Sequence, residues 1–124
     1  MIKKYEFTGE TKAYLGKTLR RIKRISDGLV GGWIENEGNL SHDGRCFVYG
    51  DAIAYDNAII NGNAGISGNA IIRGCAQVYG NAIVYDNAII YGYTEIRDDA
   101  CVYGNAIISD NASVYGNASV YGNA

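Results

Sequence analysis

Proline is absent from this 124-residue sequence, and histidine, tryptophan and methionine occur once each. A single histidine excludes a multi-histidine metal centre carried by one chain. The three cysteines include no close pair, so they give neither a disulfide framework nor a zinc site, and no metal or cofactor is expected. No apolar run approaches the roughly 18–20 residues of a membrane span, and the opening MIKKYEFTGETK lacks a signal peptide's apolar stretch. A cytoplasmic chain with no membrane partner is therefore expected. A dominant charge is missing too, since 11 Lys and Arg stand against 13 Asp and Glu. That balance offers nucleic acid no global attraction. It hides a split: residues 1–29 hold eight basic and three acidic side chains, a local +5, and residues 30–124 hold three basic and ten acidic, a local −7.

What the sequence has in abundance is a six-residue period. From Val48 it reads VYGDAI, AYDNAI, INGNAG, ISGNAI, IRGCAQ, VYGNAI, VYDNAI, IYGYTE, IRDDAC, VYGNAI, ISDNAS, VYGNAS and a five-residue VYGNA, thirteen units without an insertion. The first position is Val or Ile except at Ala54, and the fifth is Ala except at Thr94. The frame extends backward through VGGWIE, NEGNLS and HDGRCF, with Gly32, Gly38 and Gly44 third and Ile34, Leu40 and Cys46 fifth. The repeat is thus expected to begin near Val30.

Each position has a physical reading. Positions five, six, one and two predict a short strand, with Ala and the aliphatic residue on one face and positions six and two on the other. Small plus branched suits a narrow core. Positions three and four, Gly or Asp and then mostly Asn, tolerate positive φ or bond nearby backbone, and are the corners. Every unit turns the same face inward, so hairpins are excluded and the chain must wind as a solenoid with like positions stacked coil on coil.

The pattern over residues 30–124 resembles the hexapeptide-repeat, left-handed parallel β-helix proteins. The segment GGWIENEGNLSHDGRCFVYGDA, preceded by TGETKAYLGKTLRRIKRI, is similar to YdcK-like proteins of bacteria and prophages. The resemblance implies an all-β fold: a triangular solenoid with three hexads per 18-residue coil, about five coils and roughly 25 Å tall at the usual strand spacing. Left-handedness is implied by the resemblance alone, because parallel crossovers ordinarily wind the other way. One departure from the family is Tyr after the aliphatic residue in eight of thirteen units, where a small or acidic residue is usual. Residues 1–29 are expected to form a basic β cap, with strands near Lys4–Thr8 and Lys17–Ile25 that cover the first coil of the 30–124 helix.

Folding the hexads into three faces predicts an exposed column of Ile53, Ile71, Ile89 and Ile107, flanked by Tyr49, Tyr85, Tyr103 and Tyr121 and interrupted by Ser67. The other faces carry Gln77, Glu95 and Ser113 with Ile59, and Gly65, Cys101 and Ser119 with Ile83. A continuous apolar stripe of this kind marks an interface. The last coil, with Val114, Val120, Tyr121 and Ala124, offers an uncapped edge for end-to-end contact. Lys17, Arg20, Arg21, Lys23 and Arg24 form a candidate basic patch. They lack interleaved aromatics and any recognition motif, so a solvated cap face explains them and nucleic acid is not expected.

The superfamily's enzymes are mainly acyltransferases with a histidine base between subunits, which leaves His42 as the weak catalytic candidate. No long loop shapes a pocket beside it, and a residue that ends the cap accounts for it as well. Cys46 is expected in the core, Cys75 at a corner and Cys101 outside, none with an activating neighbour. The expected function is a non-catalytic structural or binding solenoid that self-associates through its Ile/Tyr face, its last coil or both. The alternatives are an acyltransferase using His42 and a prophage-encoded inhibitor that binds a host or rival protein. The partners expected are a second copy or another protein.

Overall fold

The computed structural model describes residues 3–124. Its elements are sixteen strands and one 3-10 turn at Glu37–Asn39. Three strands are long: β1 (Tyr5–Tyr14), β2 (Lys17–Arg24) and β3 (Val30–Ile34). The other thirteen have two residues each and fall into three sheets. Sheet I runs β1-β2-β3 and then β5 (Ile53–Ala54), β8 (Ile71–Ile72), β11 (Ile89–Ile90) and β14 (Ile107–Ile108). Sheet II holds β6 (Ile59–Ile60), β9 (Gln77–Val78), β12 (Glu95–Ile96) and β15 (Ser113–Val114). Sheet III holds β4 (Phe47–Val48), β7 (Gly65–Ile66), β10 (Ile83–Val84), β13 (Cys101–Val102) and β16 (Ser119–Val120). The chain visits the sheets in turn, and from Phe47 onward each short strand pairs in parallel with the one 18 residues on, as Ile53 does with Ile71.

The core follows the alternation within each hexad. Ala52, Ala58, Ala64, Ala70, Ala76, Ala82, Ala88, Ala100 and Ala106 are fully buried, as are the first-position aliphatic residues from Ile60 to Val102. Thr94 is equally buried, and its hydroxyl donates to the Tyr91 carbonyl at 2.8 Å, so the one polar substitution at the fifth position is satisfied.

The corners tie consecutive coils together. Asp56, Asp86 and Asp98 adopt φ near +60°, and each carboxylate accepts the N–H of the glycine 18 residues on, at 3.2, 3.1 and 3.0 Å. Beside them run amide ladders, Asn69 to Asn87 to Asn105 to Asn123 and Asn63 to Asn81, the second ending on Asp99.

The first coil departs from the expected frame. Ile34 pairs with Ala54 and Leu40 bridges Ile60, both 20 residues on, and the 18-residue offset begins only at Phe47–Gly65. Ile34 and Leu40 therefore take the first, aliphatic position rather than the expected fifth, and the two additional residues lie between Leu40 and Phe47. Gly32 takes the fifth position opposite Ala52. A Cβ there would lie 2.5 Å from the Ala52 carbonyl oxygen and 2.7 Å from Val48 Cγ1, so only glycine fits. The 3-10 turn closes this coil. Buried Asn39 accepts from the Glu35 and Asn36 N–H groups and donates to the Asp56 and Ala58 carbonyls.

In the hairpin, β1 runs to Tyr14, beyond the expected end at Thr8, β2 ends one residue short of the expected Ile25, and the pair joins sheet I edge to edge through β3. Tyr5 and Ile22 point into the main core and close its first end, with Phe7 packed against them. Leu19 points the other way, into a second apolar cluster on the outside of sheet I.

Candidate functional site

That second cluster sits on the isoleucine column. Outward from sheet I stand Leu19, Trp33, Ile53, Ile71, Ile89 and Ile107, one per strand from β2 to β14. Leu19, Trp33, Ile53 and Tyr55 are buried together, and Tyr14 and Ile71 pack against them. The Tyr14 and Tyr55 rings meet edge to face at 5.8 Å, and burial pushes the Tyr55 hydroxyl pKa up. Lys12 Nζ lies 4.5 Å from the Trp33 ring and the Arg21 guanidinium 5.2 Å, so two cations screen the indole from water. The column is consequently not uniformly exposed, which corrects the expectation. Ile53, clustered with Leu19, Trp33 and Tyr55, is 6% exposed, Ile71 and Ile89 are half-buried, and Ile107 is 52% exposed.

The tyrosines Tyr49, Tyr85, Tyr103 and Tyr121 do not flank this column, a second correction. A sixth-position residue shares its strand with the next hexad, so Ile53 is followed by Ala54 and Tyr55, whereas Tyr49 follows β4 of sheet III. The residues beside the isoleucines are Tyr55, Arg73, Tyr91 and Ser109, with the Arg73 guanidinium 4.1 Å from the Tyr91 ring centre. On sheet III, Tyr85, Tyr103 and Tyr121 stack at centroid distances of 5.0 and 5.2 Å.

The five basic residues of β2 do not act as one patch. Lys17 bonds Asp56 at 3.1 Å, which raises its pKa, Lys23 lies 3.6 Å from Glu6, and Arg21 donates to the Gly31 carbonyl. Arg24 holds Asp27 at 2.8 Å and keeps that carboxyl down at a pKa of about 2, while Arg20 lies over the Phe7 ring.

His42 is pinned at the junction of cap and coil. Its ring stacks on Tyr5 at 4.0 Å, Nδ1 accepts the Lys4 backbone N–H at 3.1 Å, and Nε2 meets Glu37 Oε1 at 2.9 Å. An acceptor at Nδ1 places the ring proton on Nε2, where it donates to Glu37 and holds that carboxyl below the usual range. Both ring nitrogens are engaged within the chain. Tyr5 beneath it donates to the Leu40 carbonyl at 2.6 Å, and burial raises its pKa strongly.

Cys46 is buried with Lys4 Nζ 3.3 Å from its sulfur, Cys75 lies at a corner, and Cys101 is half-buried on sheet III. Among the described residues no three His, Cys, Asp or Glu side chains group as a metal site, and no helix is long and apolar enough to cross a membrane. In the last coil Val114 is nearly buried, Val120 half-buried and Tyr121 exposed, and the Ala124 carbonyl accepts the Ile107 N–H. The sequence reading missed Leu19 and Trp33. The available signal was an apolar residue amid the cations of β2 and a tryptophan at an outward position.

No curated protein matches the chain. The family model described as YdcK Beta solenoid repeat matches residues 76–94, the span that includes β9 to β11. The chain is thus a parallel β-solenoid of about five turns, one stretch of which is similar to the YdcK β-solenoid repeat.

Proposed function

We propose that the chain is a non-catalytic β-solenoid that binds a second copy of itself through the outer face of sheet I. The observation that carries the reading is the outward column from Leu19 to Ile107, clustered with aromatic side chains around Ile53 and exposed at Ile107. The cluster of Leu19, Trp33 and Tyr55 around Ile53 supports apolar and aromatic side chains as the complement of this surface. A second copy supplies the same chemistry to Ile71, Ile89 and Ile107 in a self-complementary contact. Each isoleucine fully buried contributes about 1.5–3 kcal/mol as an upper estimate, set against the cost of association, so the expected dimer is weak and concentration-dependent.

Light scattering after size exclusion, over a hundredfold concentration range, tests this. The wild type should rise toward twice the monomer mass, and Ile89→Lys with Ile107→Lys should stay monomeric with an unchanged circular-dichroism melting curve. A wild type that remains monomeric throughout, or a dimer that persists in the folded double variant, overturns the reading.

A further inference from the structure

Sheet III carries a tyrosine stack with one rung missing. The rings of Tyr85, Tyr103 and Tyr121 lie nearly parallel, 7° and 10° from one another, at one ring per coil. One coil before Tyr85 the column position is Ser67, and one coil before that it is Tyr49. The strand leading into Ser67 is β7, whose outward residue is Gly65, and a Cβ added there would meet nothing within 4 Å. The whole rung therefore presents only a hydroxymethyl group between two tyrosines.

The walls of this notch are supported. Tyr85 rests on Tyr103 on the side away from it. Tyr49 meets the edge of Phe47 at 5.0 Å, and Arg24 Nη1 donates to its hydroxyl at 3.5 Å. Two coils separate the Tyr49 and Tyr85 positions by roughly 10 Å. That is room for a single flat ring at the interval the filled rungs keep.

We propose that the notch between Tyr49 and Tyr85 binds one planar aromatic ring, uncharged or cationic, that carries a hydrogen-bonding group. Flatness follows from the gap, which has the thickness of one ring and an aromatic residue on either side. The need for a hydrogen-bonding group follows from the floor, where the Ser67 hydroxyl can accept or donate. The charge preference follows from Asp51 and Asp86, which stand on the corners next to Tyr49 and Tyr85 and disfavour an anion, while the Arg24 guanidinium beside Tyr49 is paired with Asp27 and tyrosine faces attract a cation. The site lies on a different sheet from the proposed self-association face, so either can fail alone.

Benzamidine is a suitable probe, followed at millimolar concentration through the ring resonances of specifically labelled tyrosines. It should shift Tyr49 and Tyr85 and leave Tyr115 unmoved. Benzoate, with the same ring and the opposite charge, should bind at least tenfold more weakly. Cyclohexanecarboxamidine, which keeps the cation and loses the flat ring, should not bind. Ser67→Tyr supplies the missing rung and should reduce benzamidine binding at least tenfold while the fold melts no earlier than the wild type. Tyr85→Leu removes one wall and should cause a similar loss, which keeps the test decisive if the first variant folds poorly. Equal binding by the saturated amidine, undiminished binding in the folded variants, or no shift at Tyr49 and Tyr85 overturns the proposal.

Discussion

Replacing Gly32 and Gly65 in turn by alanine should move stability in opposite directions. Neither glycine has a left-handed backbone, so in both cases the new methyl group restricts the unfolded chain and on that ground stabilises by about 0.4–1 kcal/mol. What differs is the space. At Gly65 the Cβ meets nothing within 4 Å, so the gain is kept and strand propensity adds to it. At Gly32 the Cβ falls 2.5 Å from the Ala52 carbonyl oxygen, and that oxygen already accepts the Trp33 N–H at 3.0 Å. Moving the carbonyl away strains the bond that joins the first coil to the second. Overpacking of this kind costs typically 1–3 kcal/mol, which outweighs the entropic gain and leaves Gly32→Ala about 1–2 kcal/mol less stable. Urea denaturation followed by far-ultraviolet circular dichroism reads both. With a slope of roughly 1–3 kcal/mol per molar, the Gly32→Ala midpoint should fall by about 1 M and the Gly65→Ala midpoint should rise slightly. A neutral Gly32→Ala, or two variants that shift the same way, would refute the close approach on which the first coil depends.

Two further outcomes are expected. Asp27 has a folded pKa of about 2 against an ordinary 3.8, because Arg24 and the Leu29 N–H bond its ionised form. A depressed carboxylate contributes stability above its unfolded pKa and loses it as pH falls through the folded value, so the contribution disappears between about pH 4 and pH 2. In Asp27→Asn the urea midpoint should vary less across that interval than in the wild type. Thr94→Ala restores the repeat's usual residue. Its N–H can then reach the Tyr91 carbonyl, as Ala88 does to Tyr85 and Ala100 to Arg97, so the change should stay within about 1 kcal/mol in the same denaturation assay.

The coil from Phe47 onward was legible because each hexad position performs one task and repeats it, so a misreading at one unit is corrected by twelve others. The corner aspartates were anticipated for their tolerance of positive φ. Their bonds to glycine N–H groups 18 residues on were not, since those depend on stacking rather than on neighbours in sequence. The first coil misled for the opposite reason. Glycine recurs every six residues there, at Gly32, Gly38 and Gly44, but Gly32 is needed for close approach and not for a corner. The two-residue excess before Phe47 is invisible to a pattern that stays in frame. The isoleucine column was readable as a column, but its burial was not. Nothing in Lys17–Arg24 says that Leu19 will join the cluster that holds Ile53, because that depends on a long-range antiparallel pairing through β3. His42 was read as a transition residue, and its two engaged nitrogens follow from the same junction of hairpin and coil.

The 18-residue pitch makes the chain a ruler with two scales. Excising 18 consecutive residues from the regular part, such as 72–89, shortens the prism by one storey and leaves every surviving column on its own sheet. Excising six keeps all inward residues inward, yet rotates everything downstream by one side of the triangle. Ile107 would then stand on a different face from Ile53, and the tyrosines of sheet III would be carried round with it. The interior counts in sixes and the surface counts in eighteens. Changes of length that preserve folding are therefore three times as frequent as those that preserve what the outside presents.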